Sequence, residues 1–191
     1  MKRKKVDRQS LRTRQMLADS LMNLLLEKSY ASITIQEILD RANVGRSTFY
    51  SHFYDKEDLL VSSLGHVFEV LNQQLISGID EKSILPSLGL FQHVEQHYKL
   101  YKAFVRGNCV DLLLEKAKDF LYIMVEERFS SLDLDPHIPE IPISVLMTYV
   151  VNTLITLLKW WLDHEMPYSA KRMDDIFQRL VSPQLPPSYF G

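Results

Sequence analysis

Six of the seven residues from 46 to 52 have side chains that can donate hydrogen bonds: Arg46, Ser47, Thr48, Tyr50, Ser51 and His52. Groups of this kind donate to phosphate oxygens and to base edges in nucleic acid. Upstream of them, residues 1–14 contain seven Lys and Arg residues and a single acidic residue, Asp7. Such a basic arm can neutralise several phosphates, with an affinity that falls as salt rises. The pattern predicts a nucleic-acid contact; an ordinary helical hairpin with solvated polar side chains is the alternative.

The net charge of −2 conceals a strong asymmetry along the chain. Residues 1–54 contain ten Lys and Arg against five Asp and Glu, whereas residues 55–191 contain 12 against 19. The single cysteine, Cys109, excludes an internal disulfide and zinc sites built on paired cysteines. The six glycines are too far apart for a phosphate-cradling loop, and no signal peptide is recognisable. These features favour a cytoplasmic protein that is not a nucleotide-loop enzyme.

Two helices are predicted before the donor-rich segment. Apolar residues recur every three or four positions between Leu11 and Leu26, which indicates an amphipathic helix. Thr34 and Glu37 have the spacing of a capping box, which would open a short helix ending at Ala42. Residues 43–45 then interrupt the pattern with types that tolerate a positive φ or begin a new helix.

A further short helix is predicted around Phe49 and Phe53, which lie four residues apart. With Val44 they would form its inner face, so the six donors would point outward. This is the arrangement that lets the second helix of a helix-turn-helix enter the major groove of DNA.

The segments Thr34-Ile-Gln-Glu-Ile-Leu-Asp-Arg-Ala42 and Val44-Gly-Arg-Ser-Thr-Phe-Tyr50-Ser-His-Phe53-Tyr-Asp-Lys56-Glu-Asp-Leu-Leu60 resemble the DNA-binding domain of TetR/AcrR transcriptional regulators. The resemblance covers roughly residues 10–60. It implies that the six donors face DNA, and that Thr34 and Lys56 hold phosphates. The sequence departs from the family pattern at Asn43, Gly45 and Tyr54, where Gly, a capping residue such as Ser, and Pro are usual.

The rest of the chain is predicted to be helical too, over 56–79, 86–95, 98–106, 110–129, 143–162 and 169–181. The expected fold is all-α, with an N-terminal three-helix helix-turn-helix domain and a C-terminal helical bundle for ligand binding and dimerisation. The predicted division lies between residues 54 and 55.

Residues 141–158 contain no charged side chain, which raises the possibility of a membrane span. A polar stripe about 120° wide argues against that, and the remaining apolar arc is too wide for one core. We therefore expect a second copy of the chain to cover part of it, as the TetR resemblance also implies. The predicted interface residues are Val151, Ile155, Leu158, Met173, Ile176, Phe177 and Leu180.

The leading hypothesis is a transcriptional repressor that binds a palindromic operator in double-stranded DNA as a homodimer. A small, largely apolar effector would release it, although the sequence does not identify the ligand-binding residues. His93 and His97 lie four residues apart and could bind a metal, but they and Cys109 are predicted to be structural, with no metal or cofactor. A DNA-binding or interaction protein without a ligand response is the first alternative, and an all-helical enzyme is the second.

Overall fold

The computed structural model describes residues 2–76, 85–131 and 141–181, and within these ranges the regular structure is entirely helical. A short 3-10 turn, Tyr30–Ser32, follows the first helix. The nine α-helices of the described ranges are α1 (Lys2–Glu27), α2 (Ile35–Ala42), α3 (Arg46–Tyr50), α4 (Lys56–Ile76), α5 (Ser87–Gln96), α6 (Tyr98–Arg106), α7 (Val110–Ser131), α8 (Ile143–Asp163) and α9 (Ala170–Val181). The predicted all-α fold is confirmed. The last three residues of the predicted helix 56–79, and most of the chain between the predicted helices at 80–85 and 130–142, lie outside the described residues.

Helix α1 begins earlier than the sequence pattern predicts, because the basic arm is itself helical from Lys2. Lys, Arg and Gln are good helix formers, and neither Gly nor Pro interrupts residues 2–27. The arm is therefore an extension of the first amphipathic helix. Hydrophobic periodicity could not detect this extension, since it contains almost no apolar side chains.

Contacts between residues divide the chain into two compact units. The first comprises Met1–Val67 and Lys99–Asp111, and the second comprises Phe68–Tyr98 and Leu112–Gly191. The predicted division after residue 54 separates a DNA-binding part from an effector-binding and dimerisation part. The two units do not test that division, which stays a prediction.

In the first unit, the apolar faces of α1 and α2 pack together with the start of α4. The fully buried side chains of this core include Leu17, Leu21, Leu25, Ile38, Phe49, Leu59 and Leu60. The segment after α6 joins the same unit through Gly107. A Cβ atom at Gly107 would lie 3.0 Å from the Ala103 carbonyl oxygen and 3.1 Å from the Tyr30 nitrogen, so a larger residue would have to push these backbone atoms apart.

In the second unit, α5 and α9 are joined at both ends by polar contacts. The Ser87 hydroxyl donates to Asp174 Oδ1 at 2.7 Å, and Gln178 Nε2 donates to the Ser87 hydroxyl oxygen at 2.9 Å. At the other end, the backbone N–H of Ala170 donates to Glu95 Oε1 at 3.0 Å. Because Ser87 and Asp174 are buried, these bonds fix the register of the two helices.

Helix α8 is long and apolar enough, by length and composition alone, to cross a bilayer. Core helices of soluble proteins meet the same criterion. Seven of its side chains, from Leu146 to Leu162, are buried within the chain itself. The polar residues Ser144, Thr148 and Thr156 are exposed on the other side of the helix. The apolar side of α8 thus belongs to the core of the second unit.

Candidate nucleic-acid interface

The start of α2 is fixed by the predicted capping box. Thr34 Oγ1 accepts from the Glu37 backbone N–H at 3.3 Å, and Glu37 Oε2 accepts from the Thr34 backbone N–H at 2.9 Å. The Lys28 ammonium also donates to the Glu37 carboxylate. This bond to Lys28, followed by the bonds from Thr34, lowers the pKa of Glu37 to about 2. A local sequence motif thus sets where α2 begins.

The turn between α2 and α3 depends on Asn43. Asn43 adopts the left-handed conformation (φ 52°, ψ 47°), and the Val44 N–H donates to the Leu39 carbonyl at 3.1 Å. Asparagine adopts this conformation more readily than most residues. Gly45 then serves as the N-cap of α3 with an extended backbone. The two departures from the family pattern are therefore compatible with a tight turn.

Helix α3 has one buried face and one exposed face. Phe49 is fully buried, and its ring lies 5.8 Å from that of Phe53, which follows the end of the helix. Tyr50 packs edge-on against Phe49 with ring centroids 5.2 Å apart, yet 49% of Tyr50 is exposed. Of the other predicted DNA contacts on this segment, His52 is half-buried. The remaining four are exposed: Arg46, Ser47, Thr48 and Ser51. The structure thus brings the six donors together on one short surface.

The two predicted phosphate contacts differ from each other. Thr34 is exposed at the N-terminus of α2, where backbone N–H groups and the helix dipole favour an anion. The Lys56 ammonium instead donates to the carbonyls of Tyr30 and Ile33, both at 2.7 Å, and lies over the Tyr30 ring. Burial lowers the pKa of Lys56. In this conformation Lys56 anchors the 3-10 turn to α4, with less of its ammonium available to a phosphate.

Two further side chains, which the sequence marks only as an arm cation and as a departure from the family pattern, lie at this site. Arg14 belongs to the basic arm, but its guanidinium donates to the Ser62 hydroxyl at 2.9 Å and stacks on Phe53 at 5.2 Å. It therefore holds α1 against the helix-turn-helix. Tyr54, directly after α3, is 90% exposed. Its position where the family usually has Pro was the available signal.

The low pKa of Glu37 gives a pH-dependent prediction. A carboxyl with a depressed pKa contributes stability above its unfolded-state pKa and loses that contribution as the pH falls through the folded-state value. We expect the melting temperature of the wild type to fall between about pH 4.5 and about pH 2 more steeply than that of Glu37→Gln, which keeps the capping geometry. Circular dichroism melts measure both, and parallel curves would contradict the assignment.

His93, His97 and Cys109 have structural explanations. The rings of His93 and His97 lie 4.5 Å apart, and burial, with a smaller effect of His97, lowers the pKa of His93 to about 4. Cys109 is buried, and burial raises the pKa of its thiol to about 11, so the reactive thiolate is disfavoured. Among the described residues, no cluster of three or more His, Cys, Asp or Glu could hold a metal ion.

The predicted dimer residues fall into two groups. Four are buried in the core of the chain itself: Val151, Leu158, Met173 and Phe177. Ile155 and Ile176 are half-buried, and Leu180 is exposed. Two other apolar side chains on α8, Val145 and Tyr149, are also exposed, and the Tyr149 hydroxyl donates to the Leu180 carbonyl at 2.8 Å. Exposed apolar side chains of α8 and α9 thus include Val145, Tyr149 and Leu180, and the dimer interface itself stays a prediction.

Two family models match the chain in succession. The model for bacterial regulatory proteins of the tetR family matches residues 17–62, which include the capping box, the turn and α3. A TetR-type model described as a transcriptional regulator C-terminal region matches residues 87–183. Together they cover the helix-turn-helix and most of the second unit.

Individual proteins agree with these matches. The HTH-type transcriptional regulator YvkB of Bacillus subtilis is 30% identical over 134 residues, which are 70% of this chain and 61% of YvkB. The chain spans between 16% and 64% of the length of the curated relatives it matches. A TetR transcriptional regulator from Streptococcus agalactiae has a TM-score of 0.66 and 26% identity, covering 92% of this chain and 96% of that one. FadR of Bacillus subtilis, solved in complex with stearoyl-CoA, shares the fold with a TM-score of 0.61 and 16% identity, covering 88% and 97%.

Proposed function

Because this chain belongs to the TetR family of bacterial transcriptional regulators, we propose that it is a cytoplasmic repressor that binds a palindromic operator as a homodimer and is released by an apolar small molecule. It acts by binding and not by catalysis. The residues proposed to contact DNA are Thr34, Arg46, Ser47, Thr48, Tyr50, Ser51, His52 and Lys56.

The exposed donors of α3 are the observation that carries this proposal. Phe49 and Phe53 bury the inner side of the segment, so the donors are held on a rigid support. Helix α1, whose Arg14 stacks on Phe53, carries further exposed cations at Arg8 and Arg12. A surface of this kind suits base-edge contacts in the major groove, with flanking phosphates supplying most of the affinity.

A DNA-selection experiment on the purified full chain tests the proposal. We expect enrichment of a near-palindrome whose half-sites lie about one helical turn, or a multiple of it, apart. Binding to the selected site should weaken steeply as salt rises, because each phosphate contact releases counterions. In the double variant Arg8→Ala, Arg12→Ala, the affinity for the selected site should depend less steeply on salt concentration. If the selection enriches no sequence at low salt, the proposal is contradicted. Transcription from a promoter that overlaps the site should fall on addition of the protein.

The second unit supports the proposed effector response. It is acidic overall, so it is poorly suited to DNA, and it contains a large share of buried apolar side chains from Phe68 onward. Helix α4 begins with the first unit and continues into the second. An effector that prefers a second orientation of this helix by about 1–3 kcal/mol would weaken operator binding roughly 5- to 150-fold. Operator DNA must then weaken effector binding by the same factor.

A further inference from the structure

Asn72 on α4 has a buried side-chain oxygen without a hydrogen-bond partner, and it is the one such atom in the described part of the chain. Buried amide oxygens are nearly always paired in folded proteins, because an unpaired one has lost its hydrogen bonds to water without replacement. Such an atom therefore requires an explanation. Turning the amide over would only bury Nδ2 in place of Oδ1, so bound water and a bound ligand are the physical possibilities that leave this side chain where it is.

The surroundings of Asn72 are apolar. One turn before it, Phe68 stacks on Phe120 of α7 with ring centroids 5.2 Å apart. One turn after it, Leu75 packs against α5 so closely that a Cβ at Gly89 would lie 2.4 Å from Leu75 Cδ2. Asn72 thus lies on the side of α4 that faces α5 and α7, in the second unit.

These surroundings are a poor site for water. A buried water normally makes about three hydrogen bonds to polar groups. The buried side chains within one turn of Asn72 on α4 are Phe68, Leu71 and Leu75, α7 contributes the Phe120 ring that stacks on Phe68, and backbone groups within helices are already paired. A ligand with a long apolar body and a single donor would match both features of the site.

We propose that Asn72 Oδ1 accepts a hydrogen bond from the hydroxyl group of the effector, which is an apolar alcohol. This inference rests on the proposed effector response and specifies its chemistry. A carboxylate has no donor for Asn72 Oδ1. No Lys or Arg occurs between residues 68 and 75 to balance its charge, and Glu69 lies one turn away.

Three probes with the same apolar chain test the assignment: 1-decanol, 1-methoxydecane and decanoate, each below its aggregation threshold. We expect decanol to bind the full-length wild type about tenfold or more tightly than the ether and decanoate, measured by calorimetry and thermal shift. In Asn72→Leu, decanol and the ether should bind equally. Equal binding of decanol and the ether to the wild type, or no binding of decanol, would overturn the proposal.

The stability of the free protein provides a second readout. Because the Asn72 oxygen is unpaired, Asn72→Leu should melt at the same temperature as the wild type or higher. The matched control Gln178→Leu removes a half-buried amide that does have a partner, and should melt lower. An Asn72→Leu variant that is destabilised like Gln178→Leu would identify Asn72 as a structural residue and overturn the proposal.

Operator binding separates this inference from the proposed function. Without probe, Asn72→Leu should bind the selected operator like the wild type, because Asn72 lies outside the DNA-facing segment. Decanol should weaken operator binding by the wild type at concentrations that leave the variant, which binds decanol less tightly, unaffected. If the wild type binds no DNA even without probe, the proposed function is refuted. The probe titrations would still test the role of Asn72.

Discussion

Arg46→Ala is expected to weaken binding to the selected operator by roughly 30-fold to 10⁴-fold. Arg46 is the first residue of α3 and is exposed, so its guanidinium can reach a base edge or a flanking phosphate. A good bidentate contact to a base contributes about 1–3 kcal/mol, and a dimer makes the contact twice. Fluorescence anisotropy at one fixed salt concentration measures the loss.

A matched control separates a specific contact from a change in net charge. Lys116→Ala removes the same charge from α7, where the ammonium pairs with Asp119 in an exposed position. It should bind the operator within about twofold of the wild type, since exposed pairs contribute little. Both variants should retain the wild-type circular dichroism spectrum. Equal weakening by the two substitutions would indicate a purely non-specific charge effect.

Tyr50→Phe refines the same test. This change removes only the hydroxyl and keeps the ring that packs edge-on against Phe49. Its melting temperature should therefore match that of the wild type. A loss of sequence preference at the base pairs that Tyr50 meets would identify the hydroxyl as a reader of sequence.

The local features of the helix-turn-helix were predictable because short-range chemistry determines them. Thr34 and Glu37 lie three residues apart, and their reciprocal hydrogen bonds need nothing beyond one helical turn. The left-handed Asn43 follows from the same kind of reasoning. Helix α6 has the predicted bounds, Tyr98–Arg106, because Gly107 and Asn108 interrupt the pattern after it.

The roles of Arg14 and Lys56 could not be predicted, because their partners are distant in sequence. Arg14 bonds to Ser62, 48 residues away, and Lys56 bonds to the Tyr30 carbonyl, 26 residues away. From the sequence, both residues are simply cations that could bind phosphates. Only tertiary packing determines that each also fastens one helix to its neighbours.

The proposed dimer surface illustrates the same limit. At 100° per residue Val145 falls within the polar stripe of α8 and Leu158 on its apolar arc, but periodicity cannot say whether the same chain or a second copy covers either residue. The structure buries Leu158 in its own chain and leaves 54% of Val145 exposed. A charge at Leu158 would therefore disrupt the fold, whereas a charge at Val145 tests association directly.

Val145→Glu is expected to raise the dimer dissociation constant by about 10²-fold or more. In a two-fold symmetric interface each copy would place its new carboxylate within the same apolar contact. Burial of an unpaired charge, or juxtaposition of like charges, costs several kcal/mol, and each 1.4 kcal/mol is tenfold. Sedimentation velocity should show monomers at concentrations at which the wild type is dimeric. Operator affinity should fall with it, since one α3 reads only one half-site.

Ile123→Glu is the matched control, because Ile123 on α7 is an exposed apolar residue of similar exposure, 58%, outside the proposed surface. It should remain dimeric and bind the operator normally. Thr156→Glu places a charge on the exposed face of α8 without removing an apolar contact of the monomer, and should dissociate the dimer as Val145→Glu does. If both α8 variants stay dimeric, the interface lies elsewhere on the chain. If Ile123→Glu alone dissociates, α7 forms the contact, and α8 and α9 serve only the core of each copy.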